Sequence, residues 1–352
     1  MQPIDRTIKG RGAAENPANR FVRLSIIPDP DAAPDDRPAP ATEFYRDTTR
    51  TIIARNTSPD IPFEASLNPY RGCEHGCIYC YARPTHEYLG FSAGLDFESK
   101  IVVKEDAPEL LRKELSSPNW VPKPVAISGV TDAYQPIERK LRLTRRCLEV
   151  FLEFNNPATI CTKNALVTRD IDILSQMARR NLTAVFLSIT TLDPGLSRLM
   201  EPRTAAPRRR LEAIEKLTAA GIPAGVLVSP VIPALTDHEM PAILEAAASA
   251  GAISAGWQLV RLPMAVGELF ENWLARHFPD RKDKVLSRIR AIRGGQLDDT
   301  DFATRMSGQG IFADQIAQIF DLTCRRLHLN ERHIELSTDH FRRPGQMLLF
   351  PQ

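Results

Sequence analysis

No apolar run in the 352-residue chain is both long and unbroken enough to cross a membrane. The uncharged window from Leu217 to Thr236 has the length, but Gly221, Pro223, Gly225, Pro230 and Pro233 break any spanning helix. It reads instead as a helix end, a turn and a buried strand. The first residues, Met1 to Arg6, lack the apolar centre of a signal peptide, so no export is expected. Charge of one sign is also scarce, the net being +2. It is unevenly spread: Pro28 to Asp47 holds six acids and two bases, which leaves the remainder mildly basic and compatible with a nucleic-acid partner. Aromatics are only 7% and scattered, so a pure nucleic-acid-binding module would want for stacking surface. Six cysteines in a chain this long do not form a disulfide framework. No internal repeat and no heptad pattern is present.

Half of those cysteines fall in ten residues. Gly72-Cys73-Glu74-His75-Gly76-Cys77-Ile78-Tyr79-Cys80-Tyr81 places three thiols at C-x3-C-x2-C spacing on one tight loop. A [4Fe–4S] cube takes four thiolates, one per iron. Three ligands leave one iron open, as a catalytic metal requires and a structural metal does not. The competing reading is a structural zinc with His75 or His86 as fourth ligand, which would make the chain a zinc-stabilised nucleic-acid-binding module. Zinc sites usually add a second ligand pair well downstream, and here the next cysteine is Cys147. Cys147, Cys161 and Cys324 share no short spacing and read as small buried apolar residues. Thiolates that must stay reduced imply a cytoplasmic setting.

An apolar content of 43% suffices for one large α/β domain with extensions. From Pro28 to Pro40 five of thirteen residues are proline, a flexible connector, and the polar leader from Lys9 to Gly12 is expected to pack late or not at all. Beyond residue 61, six β-rich runs alternate with helical patterns: Glu64–Leu67, Val125–Val130, Thr159–Thr162, Ala184–Ser188, Gly225–Val231 and Gln258–Leu262. Thr144 reads as the N-cap of a helix through Phe151, and Pro207 opens a helix that Gly221 stops. Such alternation builds a parallel sheet with right-handed crossovers.

The cysteine loop resembles the signature of the radical S-adenosylmethionine (SAM) superfamily. Tyr79-Cys80-Tyr81, Thr131-Asp132 and Thr162-Lys163 make the chain most similar to its spore photoproduct lyase-like branch. The resemblance implies an open (β/α)6 partial TIM barrel over residues 61–278, a disordered N-terminal extension over 1–60, and a mostly helical C-terminal cap with a tail over 279–352. It implies a [4Fe–4S] cluster held by Cys73, Cys77 and Cys80, with SAM on the fourth iron. SAM is cleaved there to a 5′-deoxyadenosyl radical that abstracts hydrogen, using electrons from a flavodoxin- or ferredoxin-type donor. Tyr79 matches the aromatic that contacts adenine. Active sites of such barrels gather at the C-terminal strand ends. There Gly129, Thr131 and Asp132 suit the amino-acid end of SAM, or else satisfy local backbone. Lys163 matches a lysine for its carboxylate, and Ser188 and Thr190, two apart on one face, suit the ribose diol. In the lyase itself a cysteine near the second strand's end returns hydrogen to product. This chain has none between Cys80 and Cys147, so it is not expected to be a true photoproduct lyase, and Tyr81 and Tyr134 are the candidate donors. Nucleic-acid repair is the function implied, with modification of protein or RNA as the alternative.

Two basic clusters, Glu201–Arg210 and the five bases of Arg139–Arg146, read as solvated faces, with anion binding as the sharper alternative. After Pro344-Gly345 the tail Gln346-Met347-Leu348-Leu349-Phe350 resembles the pentapeptide with which bacterial repair proteins dock on the DNA sliding clamp. Folding back on its own domain is the alternative.

Overall fold

A computed structural model describes residues 8–22 and 41–344. The acidic connector around Pro28–Pro40 and the clamp-like Gln346–Phe350 lie outside the described residues.

Among the described residues ten strands form two sheets. They are β1 (Glu43–Arg46), β2 (Ile53–Arg55), β3 (Ala65–Leu67), β4 (Tyr70–Arg71), β5 (Lys100–Val103), β6 (Val125–Ile127), β7 (Ala158–Thr162), β8 (Thr183–Ser188), β9 (Ala224–Val231) and β10 (Ser254–Leu259). The large sheet runs β10-β9-β8-β7-β6-β3-β2, and its six strands β3, β6, β7, β8, β9 and β10 are mutually parallel. Five of the expected runs are here as β3 and β6–β9; the sixth, expected at Gln258–Leu262, begins four residues earlier as β10, and the sheet is an open barrel that does not close. Antiparallel β2 covers one edge, and a small sheet β1-β5-β4 stands beside it.

Helices between the strands pack by their apolar stripe. In Leu143–Phe154 the residues Leu143, Cys147, Leu148, Phe151 and Phe154 face the core, while Arg145, Arg146 and Glu153 face out. Thr144 is not the cap expected of it: the helix starts a residue earlier, and the buried hydroxyl donates back to Ala133 O at 2.6 Å. Pro207–Ala219 is bounded as its sequence implied, with Gly221 at φ +74°.

Residues 8–22 correct the expectation of a free N-terminal extension. Ala13 is buried, and the Gly12 and Ala13 amides donate to the Glu98 carboxylate at 2.9 and 2.8 Å. A Cβ on Gly12 would stand 1.8 Å from Gly76 O, so the leader's backbone lies directly on the cysteine loop. Residues 43–46 and 53–55 likewise pair as β1 and β2.

The C-terminal part is helical, as expected: Pro279–Ala291 and Ile311–Arg326 follow Ala265–His277. One apolar cluster joins Phe270, Trp273, Leu286 and Ile289 to Cys77, Ile78 and Tyr79, so Ala265–His277 and Pro279–Ala291 buttress the cysteine loop, while Ile311–Arg326 packs into the main core. Among the described residues no helix is long and apolar enough to cross a membrane.

Candidate active site

The cysteine loop leaves β4 and is held from all sides. Gly72 and Gly76 have positive φ, and a Cβ on Gly76 would come within 2.7 Å of Glu98 Oε2. The Cys73 amide donates to Phe97 O at 2.9 Å, and Ile78 N to Met200 O at 3.0 Å. Beneath lies fully buried Arg83, whose guanidinium donates to Cys77 O, Ala93 O and Gly94 O and pairs with Glu98 at 2.5 Å. Glu98 in turn receives the leader amides. A buried pair with every donor and acceptor engaged is a rigid support.

The three thiols are close enough to feel one another's charge. Burial pushes Cys77 well above its ordinary value, with Glu201 and the other two thiols adding to it, and burial with Cys73 pushes Cys80 up to about 11. A bound metal would reverse this, because ligation deprotonates thiols and releases their protons. Among the described residues no three His, Cys or acidic side chains converge on a single-ion site. His75, the proposed fourth zinc ligand, has both nitrogens engaged: Nδ1 faces Asp132 at 3.3 Å and Nε2 faces Asn164 Nδ2 at 3.2 Å. Burial alone would favour neutral imidazole, but Asp132, helped by Cys73, raises it to about 10. His86 packs between Phe91 and Phe97, where burial lowers it to about 4. Three soft thiols with no fourth protein ligand among the described residues fit an iron–sulfur cube with one open iron.

Above the loop the strand ends converge. Lys163, after β7, donates to Ser188 Oγ at 2.5 Å and Ser229 O at 2.8 Å, and lies 5.8 Å from the centre of the Tyr79 ring. Ser188 also donates to Ser229 O, and Thr190 donates to Glu201 Oε1 at 2.7 Å. Glu201 is the hub, accepting from the Tyr79 hydroxyl and pairing with Arg210, with Lys163 3.8 Å away. Burial would raise Glu201, but Arg210 and Lys163 outweigh it and hold it near 2. Tyr79, Lys163, Ser188 and Thr190 therefore share one network.

The β6 end is organised differently. Ser128 and Gly129 have positive φ, and Gly129 O accepts the Tyr81 hydroxyl. Thr131 donates to Tyr70 O at 3.1 Å. Asp132 accepts from Thr162 Oγ1, Lys163 N and Tyr134 N, and its pairing with His75 outweighs burial to hold it near 2. Thr131 and Asp132 thus tie β6 to β7 and to the cysteine loop.

Of the candidate hydrogen donors, Tyr81 is 45% exposed, within electrostatic reach of Cys80, Cys161, Arg261 and Arg305. Tyr134 is fully buried, its hydroxyl bonded to Asp170 in a network with Arg145 and Arg169, so it is not presented to the barrel interior. Sequence reasoning also misjudged three residues. Cys161 is not core: it alternates with buried Ile160 and Thr162 on β7 and stands on the inner face near Tyr81 and Lys163. Arg210 is buried at the hub, whereas Arg208 and Arg209 are the solvated face expected, paired with Glu212. Glu201 was read only as part of that charge run. The spacing of Arg210 with Ala213, Ile214 and Leu217 was the available signal, since it sets Arg210 on the helix's inner stripe.

Comparison with known proteins agrees with this geometry. The family model described as "Radical SAM superfamily" matches residues 67–247. An uncharacterised protein of Mycobacterium tuberculosis is 37% identical over 234 residues, 66% of this chain and 68% of that one. A radical SAM Nalpha-GlyT isomerase of Pseudomonas phage M6 is 24% identical over 201 residues, 57% of this chain and 40% of that protein. Spore photoproduct lyase complexed with dinucleoside spore photoproduct has the same fold at a TM-score of 0.59 and 16% identity, over 81% of this chain and 79% of that one.

Proposed function

The chain belongs to the radical SAM superfamily, and from that membership we propose that it is an enzyme that abstracts hydrogen from a nucleic-acid substrate at the mouth of its open barrel. When bound, a [4Fe–4S] cluster and SAM supply the electron and the C–S bond whose cleavage yields a 5′-deoxyadenosyl radical. Cys73, Cys77 and Cys80 would hold three irons. Lys163, steadied by Ser188 and Ser229 O, would offer its cation to the SAM carboxylate. Tyr79, fixed by Glu201, would contact the adenine, and Ser188 and Thr190, held in the same network, would hold the ribose. Gly129, Thr131 and Asp132 shape the amino-acid end, Asp132 by positioning His75 and the Lys163 backbone rather than by a free carboxylate. Closing this site against water protects a radical from side reactions.

The observation that carries the reading is the shared network: the only three-thiol loop among the described residues touches, through Tyr79, the lysine and hydroxyls at the strand ends. The nucleic-acid assignment leans on the lyase neighbour and on the mouth itself. There Tyr81 is exposed, Arg261 stands within its electrostatic reach, and Arg305 lies 4.5 Å over the Phe302 ring. Tyr81 and Cys161 are the inner-face hydrogen donors. Anaerobically reconstituted protein, reduced with dithionite, should cleave SAM to 5′-deoxyadenosine, and Ala at Cys73, Cys77 or Cys80 should abolish this. Deuterium from a labelled DNA lesion should appear in 5′-deoxyadenosine. Label arriving only from a protein or RNA would overturn the substrate class. Cys161→Ala and Tyr81→Phe should leave SAM cleavage intact and divert the product where that residue returns hydrogen.

A further inference from the structure

Resting on that reading, reductive cleavage of SAM takes up one electron per event, and the electron must enter from outside the chain. The structure offers one entry next to the cluster loop. A cavity of about 600 Å³ opens between the turn that follows β7 and the start of helix Pro207–Ala219, and its walls hold Arg139, Arg203, Arg209 and Lys216 against a single acid, Glu212. Arg139 and Lys216 are exposed and have no ionic partner among the described residues.

The cavity floor is joined to the cysteine loop at two points. Asn164 lines the cavity and faces His75 Nε2 at 3.2 Å, and His75 interacts in turn with the Cys73 thiol. Arg203 donates its amide to His75 O at 3.3 Å and pairs with Glu74 at 3.0 Å. Two side chains, Asn164 and His75, therefore separate the basic cavity from a cluster ligand.

We infer that this basic cavity is the docking site for an acidic, low-potential one-electron carrier protein, which loses one electron while the cluster gains one. The complementary charge selects the partner: opposite potentials speed encounter and fix orientation, and the effect weakens as salt rises. The same cations would also attract a nucleic-acid backbone, but the joined path to Cys73 serves a reductant and not a substrate.

The test uses the full-length reconstituted protein, a bacterial flavodoxin as probe, and the variants Arg139→Glu with Lys216→Glu, both on solvated surface. Lys284→Glu on helix Pro279–Ala291 is the charge control. In titration calorimetry at low salt, wild type should bind flavodoxin and the double variant should bind about tenfold more weakly, the control being unchanged. SAM cleavage driven by reduced flavodoxin should fall by a similar factor in the double variant, while dithionite-driven cleavage stays at the wild-type rate. Equal binding and equal flavodoxin-driven rates in wild type and double variant would overturn the inference. So would a wild type that ignores flavodoxin, or a double variant that loses only DNA binding. If dithionite drives no SAM cleavage in wild type, the functional reading fails, and flavodoxin binding still tests the surface on its own.

Discussion

Glu98 supports the cysteine loop from outside the motif. It accepts the Gly12 and Ala13 amides and neutralises Arg83, which itself holds Cys77 O. Replacing it by Gln leaves a buried guanidinium without its counter-charge, a loss of about 3–5 kcal/mol, and reconstituted Glu98→Gln should retain less iron per chain. Gly12→Ala must displace one of two touching backbones, so it should destabilise by about 1–3 kcal/mol and speed proteolysis within residues 8–22. Neither residue was legible in the sequence: Glu98 sits in the one-turn helix Leu95–Ser99, too short to show a pattern, and the leader reads as solvated because a glycine's close approach leaves no hydrophobic trace. The thiol motif was legible because metal chemistry fixes residue type and spacing together. His86 supplies a pH test. Burial between aromatic rings lowers its folded value to about 4, below the ordinary 6.5, so the unfolded chain takes up a proton first as pH falls. Stability should therefore drop between pH 6.5 and 4 and level off below. His86 should account for a loss of about 2 kcal/mol from pH 7 to pH 5, read by urea titration of the metal-free protein as the difference between wild type and His86→Phe, because His75, raised to about 10, acts in the opposite sense.

At the scale of elements, the parallel strands were readable because each is a short β-rich run bounded by turn residues, and their order follows from right-handed crossovers. The edges were not. β10 ends the sheet with unpaired backbone, an invitation to pair with another chain. Asn330, 70 or more residues away in sequence, closes it: its amide accepts from Ala255 N at 2.8 Å and donates to Ala255 O at 3.0 Å. Arg293, fully buried, donates to Leu259 O, Val260 O, Thr304 O and Arg305 O, which fastens the C-terminal segment across the same strand. Pairings of such range depend on three-dimensional closure and have no local signature. Asn330→Ala should free the Ala255 backbone, and light scattering at rising concentration should show association that wild type lacks.

For the molecule as a whole, the leader, the barrel and the helices Ala265–His277 and Pro279–Ala291 meet at one place, the cysteine loop, and the strand ends bring a lysine, two hydroxyls and a charged hub to the same point. Three thiols held still with polar groups arrayed above them are what the proposed cluster and its small charged ligand would require. The most direct check is electron paramagnetic resonance of the anaerobically reconstituted, dithionite-reduced protein, recorded before and after SAM is added. The account expects about four irons per chain, a reduced-cluster signal, and a change in that signal's shape when SAM reaches the open iron. A protein that takes up one zinc per chain and shows no signal, or a cluster signal that SAM leaves untouched, would contradict it.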